Sequence, residues 1–312
     1  NGAEKVYAKP GEVEFIGSNF TVKATNVENV TVDGKGGADY AELRDSAGND
    51  SLIMRVGETT MVGIGYSNKV LNFEEVHGYA LNGGLDEAKL YDSDGIDRFV
   101  GTPTYARMFG DGYMHRAKGF RFVHGYSTKG NDRAELHDGA GNDLFKYDAG
   151  LAKLWGSGFY LRAKNFNKVE AVADGGGNDY ARIFDTKSVD KFVGTPTSAR
   201  MYSTEANYDV TARLFEKVLA QSTAGGKDIA RFYDSANKEV FTGYSHKAEF
   251  SGNRFEITAR KFEKVEAYST PGSNDIAKFR DTAGNDHLVV TADNSASMYT
   301  KKGEELELLY QA

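Results

Sequence analysis

The sequence predicts an all-β protein folded as a parallel β-solenoid of the β-helix kind, with a β-propeller as the alternative. Three observations lead there. The phrase Asp-x-Ala-x-(Leu/Ile/Phe)-x-Asp recurs at 39–45, 86–92, 132–138, 179–185, 228–234 and 275–281, so that Asp39, Asp86, Asp132, Asp179, Asp228 and Asp275 stand 47, 46, 47, 49 and 47 residues apart. A second series, Val30, Leu52, Val76, Phe99, Val123, Phe145, Val169, Phe192, Val218, Phe241, Val265 and Leu288, repeats at steps of 22 to 26, about half the unit. Stacked coils require such a half-unit period, and propeller blades do not. Finally, apolar and polar residues alternate over short stretches bounded by Gly, Asn and Asp, and no window sustains a 3.6-residue period, so strands are expected and helix is expected to be scarce.

The elements follow in order. Residues 1–36 form a half repeat, with Phe15 in phase with Met108, and repeats start near 37, 84, 130, 177, 226 and 273. Each opens on a strand with a small inward residue (Ala41, Ala88, Ala134, Ala181, Ala230, Ala277) that lets the walls approach closely. A turn phrase follows, SAGND at 46–50, GAGND at 139–143 or TAGND at 282–286. Next comes a strand around Met108, Leu154, Met201, Phe250 or Met298. The repeat closes on an aromatic seven residues before a hydrophobe, as in Tyr66/Phe73 and Tyr113/Phe120. Two coils per repeat would give 12 to 13 coils in one continuous domain, 1–312, with a candidate cap at 301–312.

Composition narrows the function. Lys and Arg number 38 against 45 Asp and Glu, a net charge of −7, so a generic polyanion binder is disfavoured and no nucleic-acid partner is expected. The absence of Cys excludes disulfides, thiolate metal sites and a Cys nucleophile. No run approaches the length of a membrane span, so no membrane insertion is expected. NGAEKVYAKP lacks the layout of a signal peptide, and an exported chain would have lost its leader already.

The corner Leu136-His-Asp-Gly-Ala-Gly-Asn-Asp-Leu-Phe145 resembles the nonapeptide of the RTX (repeats-in-toxin) family of calcium-binding β-rolls. That resemblance covers only the corner of each repeat; it implies Ca²⁺ held by Asp45, Asn49, Asp50, Asp92, Asp97, Asp138, Asn142, Asp143, Asp281, Asn285 and Asp286. Hard cations take such oxygen ligands, but the same residues also cap tight turns by accepting backbone N–H bonds. The whole repeat resembles tandem repeats of large secreted bacterial proteins. A basic series, Lys23, Lys69, Arg116 and Arg162, with Lys118, Lys164, Arg213 and Arg260 two residues further on, is a candidate stripe for an extracellular polysaccharide. Its alternative is a solvated strand face that neutralises nearby carboxylates. Tyr79, Tyr126 and Tyr268, and Tyr91, Phe184 and Tyr233, form partial aromatic ladders, and Trp155 reads as a packing residue.

No catalytic cluster interrupts the repeat, and the six His are scattered. The expectation is therefore not an enzyme but an extracellular or cell-surface structural rod serving as a stalk, matrix or filament component. A polysaccharide-binding module or a β-helical lyase or hydrolase is the alternative. The phase of the repeat at the two ends raises head-to-tail self-association as an expectation.

Overall fold

The computed structural model describes residues 2–270, 273–281, 283, 286–290, 296–302 and 305–311, with the side chains of all of these except 286, 290, 298–302 and 305–311. The protein is all-β, and the described residues contain no helix. They form two compact units, residues 1–139 with 151–169, and residues 140–150 with 170–312.

In the first unit the chain runs through β1 (Lys5–Lys9), β2 (Gly11–Ile16), β3 (Thr21–Val27), β4 (Asn29–Asp33), β5 (Tyr40–Arg44), β6 (Ser51–Arg55), β7 (Glu58–Gly63), β8 (Tyr66–Leu71), β9 (Glu75–Tyr79), β10 (Glu87–Tyr91), β11 (Arg98–Gly101), β12 (Tyr105–Gly110), β13 (Tyr113–Lys118), β14 (Phe122–Tyr126) and β15 (Arg133–His137). Strand β16 (Leu144–Asp148) belongs to the second unit, whereas β17 (Leu151–Gly156) and β18 (Phe159–Lys164) belong to the first.

One rule generates the whole arrangement. The first strand of a repeat, β5, lies in one sheet; the next three, β6, β7 and β8, form an antiparallel meander in the facing sheet; and β9 returns to lie parallel to β5. Three crossings per repeat is an odd number. The next repeat therefore begins in the opposite sheet, with β10 parallel to β6, the meander β11-β12-β13 in the first sheet, and β14 parallel to β10. The first sheet of this unit accordingly reads β3-β2-β1-β5-β9-β13-β12-β11-β15, and the second reads β4-β8-β7-β6-β10-β14-β18-β17.

Strand β19 (Lys168–Val172) has its first two residues in the first unit, and the second unit follows the same rule with β20 (Tyr180–Phe184), β21 (Lys191–Thr195), β22 (Ser198–Ser203), β23 (Tyr208–Arg213), β24 (Lys217–Gln221), β25 (Ile229–Tyr233), β26 (Val240–Tyr244), β27 (Lys247–Gly252), β28 (Phe255–Arg260), β29 (Lys264–Tyr268), β30 (Ile276–Phe279), β31 (Asp286–Val290), β32 (Ala296–Lys302) and β33 (Glu305–Gln311). Its sheets read β23-β22-β21-β25-β29-β33-β32-β31 and β16-β20-β24-β28-β27-β26-β30.

The expected parallel β-solenoid is thus present, with parallel steps of about 36 residues and about 8 turns. The 12 to 13 coils are not. Each repeat contributes a hairpin that adds strands to a sheet without adding a turn, so it does not supply two parallel coils. The half-unit series is inward as expected, from Val30 to Val265, and Leu52, Phe99, Phe145 and Phe192 are fully buried. Its members do not sit one above the next, however: they fall two by two on alternate sheets. Leu288 is exposed.

Tight turns make the meanders. Gly57, Gly65, Gly112 and Gly158 end two-residue connections at φ of +80°, +79°, +72° and +87°, the left-handed geometry that the second central residue of a type II turn needs. Between the sheets, Leu52 lies against Gly78 so closely that a Cβ there would come within 2.3 Å of a leucine methyl. Phe99 meets Gly125 in the same way. Each buried Leu or Phe of this kind contributes about 1.5–3 kcal/mol.

Candidate functional site

The corners are built from three acidic positions per repeat. The leading Asp accepts the backbone N–H that closes the preceding corner: Asp50 N donates to Asp86 Oδ1 at 2.8 Å, Asp97 N to Asp132 Oδ1 at 2.8 Å, Asp190 N to Asp228 Oδ1 at 2.7 Å and Glu239 N to Asp275 Oδ1 at 2.8 Å. These bonds link neighbouring coils, not neighbouring residues. The acid that ends the corner is held from two sides. Asp50 accepts Ser46 N at 2.9 Å and the Tyr66 hydroxyl at 2.8 Å, and Asp97 accepts Ser93 N at 2.9 Å and the Tyr113 hydroxyl at 2.7 Å. Asp190 accepts Thr186 N at 2.8 Å and the Tyr208 hydroxyl at 2.5 Å. The middle acid caps the next coil: Asp45 accepts Asn82 N, Asp92 accepts Thr128 N and its hydroxyl, and Asp185 accepts Thr223 N and Ala224 N.

The remaining candidates are placed as follows. Asn49 Oδ1 accepts Leu85 N, and Asn142 Oδ1 accepts Asn178 N, each at 2.8 Å. Asp138 is buried, and Asp143 is buried with its N–H donated to Asp179 Oδ1 at 2.7 Å. Asp281 is exposed, while Asn285 and the Asp286 side chain lie outside the described residues. Because the sheets alternate, the corners of consecutive repeats lie at opposite edges.

In the second unit Asp185, Asp190 and Asp228, all buried, each bring a carboxylate oxygen within 4.8 Å of the other two, as do Asp234, Glu239 and Asp275. Buried acidic groups at this spacing could hold a metal ion. Burial pushes the Asp228 carboxyl above the usual carboxylate range, and the charges of Asp190 and Glu263 push the same way. Asp86 and Asp132 are raised for the same leading reason. The fit to a hard cation is partial. Calcium takes about six to eight oxygens, and these carboxylates already accept several N–H and O–H bonds. The sequence reading missed the leading Asp and the Tyr66, Tyr113 and Tyr208 hydroxyls, which lie 16 to 18 residues from their acids.

The basic series does not form one stripe. Lys23, Arg116, Lys118 and Arg213 lie in β3, β13 and β23, while Lys69, Arg162, Lys164 and Arg260 lie in β8, β18 and β28 of the facing sheets. Several members neutralise acids, Lys23 with Glu12 at 2.9 Å, Lys69 with Glu58 at 3.1 Å and Arg213 with Glu170 at 2.8 Å. The aromatic ladders re-form across the two expected series, Tyr91 stacking on Tyr126 at 4.7 Å and Tyr233 on Tyr268 at 5.0 Å. Trp155 is half-buried, its ring 6.5 Å from that of Tyr160. No known family model matches the chain, and no curated protein matches it in sequence.

Proposed function

We propose that the protein is a non-enzymatic structural repeat protein, acting outside the cell or on its surface as part of a stalk, matrix or filament. The observation that supports this is the coil-to-coil staple: among the described residues, the leading and middle corner acids of successive repeats accept backbone N–H groups from the neighbouring coil. A scaffold needs such a device and an active site does not. Immunogold labelling of intact source cells tests the location, with labelling at the surface as the expected result. Label reached only after lysis would overturn it. Electron microscopy of purified protein tests end-to-end assembly, which requires particles that lengthen with concentration.

A second reading rests on the two carboxylate groups of the second unit: we propose that a calcium ion reinforces these corners. Thermal unfolding with calcium should then lie several degrees above that in chelator, since a ligand bound only by the folded state stabilises it. Asp228→Asn should abolish the difference. Identical midpoints with and without calcium would leave the corners as hydrogen-bonded turns.

A further inference from the structure

The outer face of the second sheet in the first unit carries an arrangement that the staples do not explain. Register places Phe122, Tyr160 and Trp155 in one straight row across β14, β18 and β17, with ring centroids 6.2 Å and 6.5 Å apart. The next row along the same strands reads Lys89, His124, Arg162 and Lys153. Arg162 and Lys153 are therefore direct cross-strand neighbours, a placement that repels and destabilises a sheet unless something offsets it. Glu87, on β10 of the same sheet, is already shared by Lys89 at 2.8 Å and His124 at 3.1 Å. Among the described residues, Lys153 and Lys164 have no ion pair, and the Arg162 Nε is buried without a hydrogen-bond partner. The guanidinium of Arg162 donates from Nη2 to the Tyr126 hydroxyl and lies 5.1 Å from the centroid of that ring, a neutral partner that leaves its charge uncompensated.

We infer that this face is a binding surface for a linear, carboxylate-bearing polysaccharide, with Phe122, Tyr160 and Trp155 meeting the sugar rings and Arg162, Lys153 and Lys164 meeting the carboxylates. The occupant follows from shape and charge. Amphipathic rings offer an apolar surface for the C–H faces of sugars, and guanidinium pairs with carboxylate through two parallel N–H bonds. The row runs straight across three neighbouring strands, β14 parallel to β18 and β17 antiparallel to it, which suits an extended chain. A nucleic acid duplex carries one charge per about 1.7 Å, far denser than one carboxylate per sugar, and would need more cations than the few on this face. The inference stands apart from the proposed scaffold role, since the face could bind glycan wherever the protein is located.

Trp155 is the only tryptophan, so its fluorescence reports on this face alone. Titration of the whole chain with polygalacturonate should change the Trp155 emission saturably, and a neutral β-glucan should not. Arg162→Gln with Lys153→Gln should weaken the binding at least about tenfold, the loss of two charge-assisted contacts. Arg116→Gln, on the other sheet, should leave it within about twofold. Circular dichroism of each variant checks that the fold persists. Unchanged emission, equal weakening by Arg116→Gln, or equally tight binding of single-stranded DNA would overturn the assignment.

Discussion

His115 offers a direct test of how the core was put together. It points inward from β13, 1% exposed, opposite Met108 on one side and Val76 on the other, and neither ring nitrogen has a hydrogen-bond partner. The same repeat position holds Leu161, Val210 and Ile257, all buried. Burial pushes the imidazole pKa down to about 4 from 6.5. A base whose folded pKa is depressed contributes stability above its unfolded value and loses it as pH falls from there to the folded one. The drop to about 4 corresponds to roughly 3 kcal/mol, lost between about pH 6.5 and 4. His115→Leu removes the titration and two unpaired nitrogens, so it should add about 1–3 kcal/mol at neutral pH and about 2–3 kcal/mol more near pH 4.5. Urea unfolding of both proteins at the two pH values measures this. His124, whose pKa burial likewise lowers to about 4, is present in both proteins and cancels. Asp86, Asp132 and Asp228 act in the opposite sense, since their raised pKa values favour the folded state as acid is added, and they cancel too. A difference between wild type and variant that does not change with pH would refute the reasoning.

Three further outcomes follow from the same geometry. Asn68 occupies the position of His115 one repeat earlier, buried with both amide atoms unpaired, so Asn68→Leu should raise the urea midpoint by the equivalent of about 1–2 kcal/mol. Tyr113→Phe removes a hydroxyl donated to Asp97 at 2.7 Å and should cost about 1.5–3 kcal/mol in the same assay. Asp86→Asn keeps the acceptor for Asp50 N–H while removing a buried charge; it should stay within about 1 kcal/mol of wild type, whereas Asp86→Ala should lose about 1–3 kcal/mol by leaving that N–H unmet.

Much of the fold was legible because repetition multiplies a weak signal. One Asp-x-Ala phrase says little, but six at constant spacing fix the repeat and its inward positions. The alternation of sheets was not legible from those phrases, because a residue looks the same in sequence whichever sheet receives it. The informative signal lay elsewhere, in two-residue turns such as Asp111-Gly112, which mark a hairpin inside the repeat. The two hairpin turns of each meander leave three crossings between sheets per repeat, and an odd number sends every second copy to the other side. The fate of the basic series follows from that parity. Lys23, Lys69, Arg116 and Arg162 are equivalent by repeat and yet divided between faces, while Arg162 and Lys153, which share no repeat position, become neighbours. Binding surfaces on such a chain must therefore be sought at a period of two repeats plus the hairpin partner, which is how Trp155 comes to stand beside Tyr160.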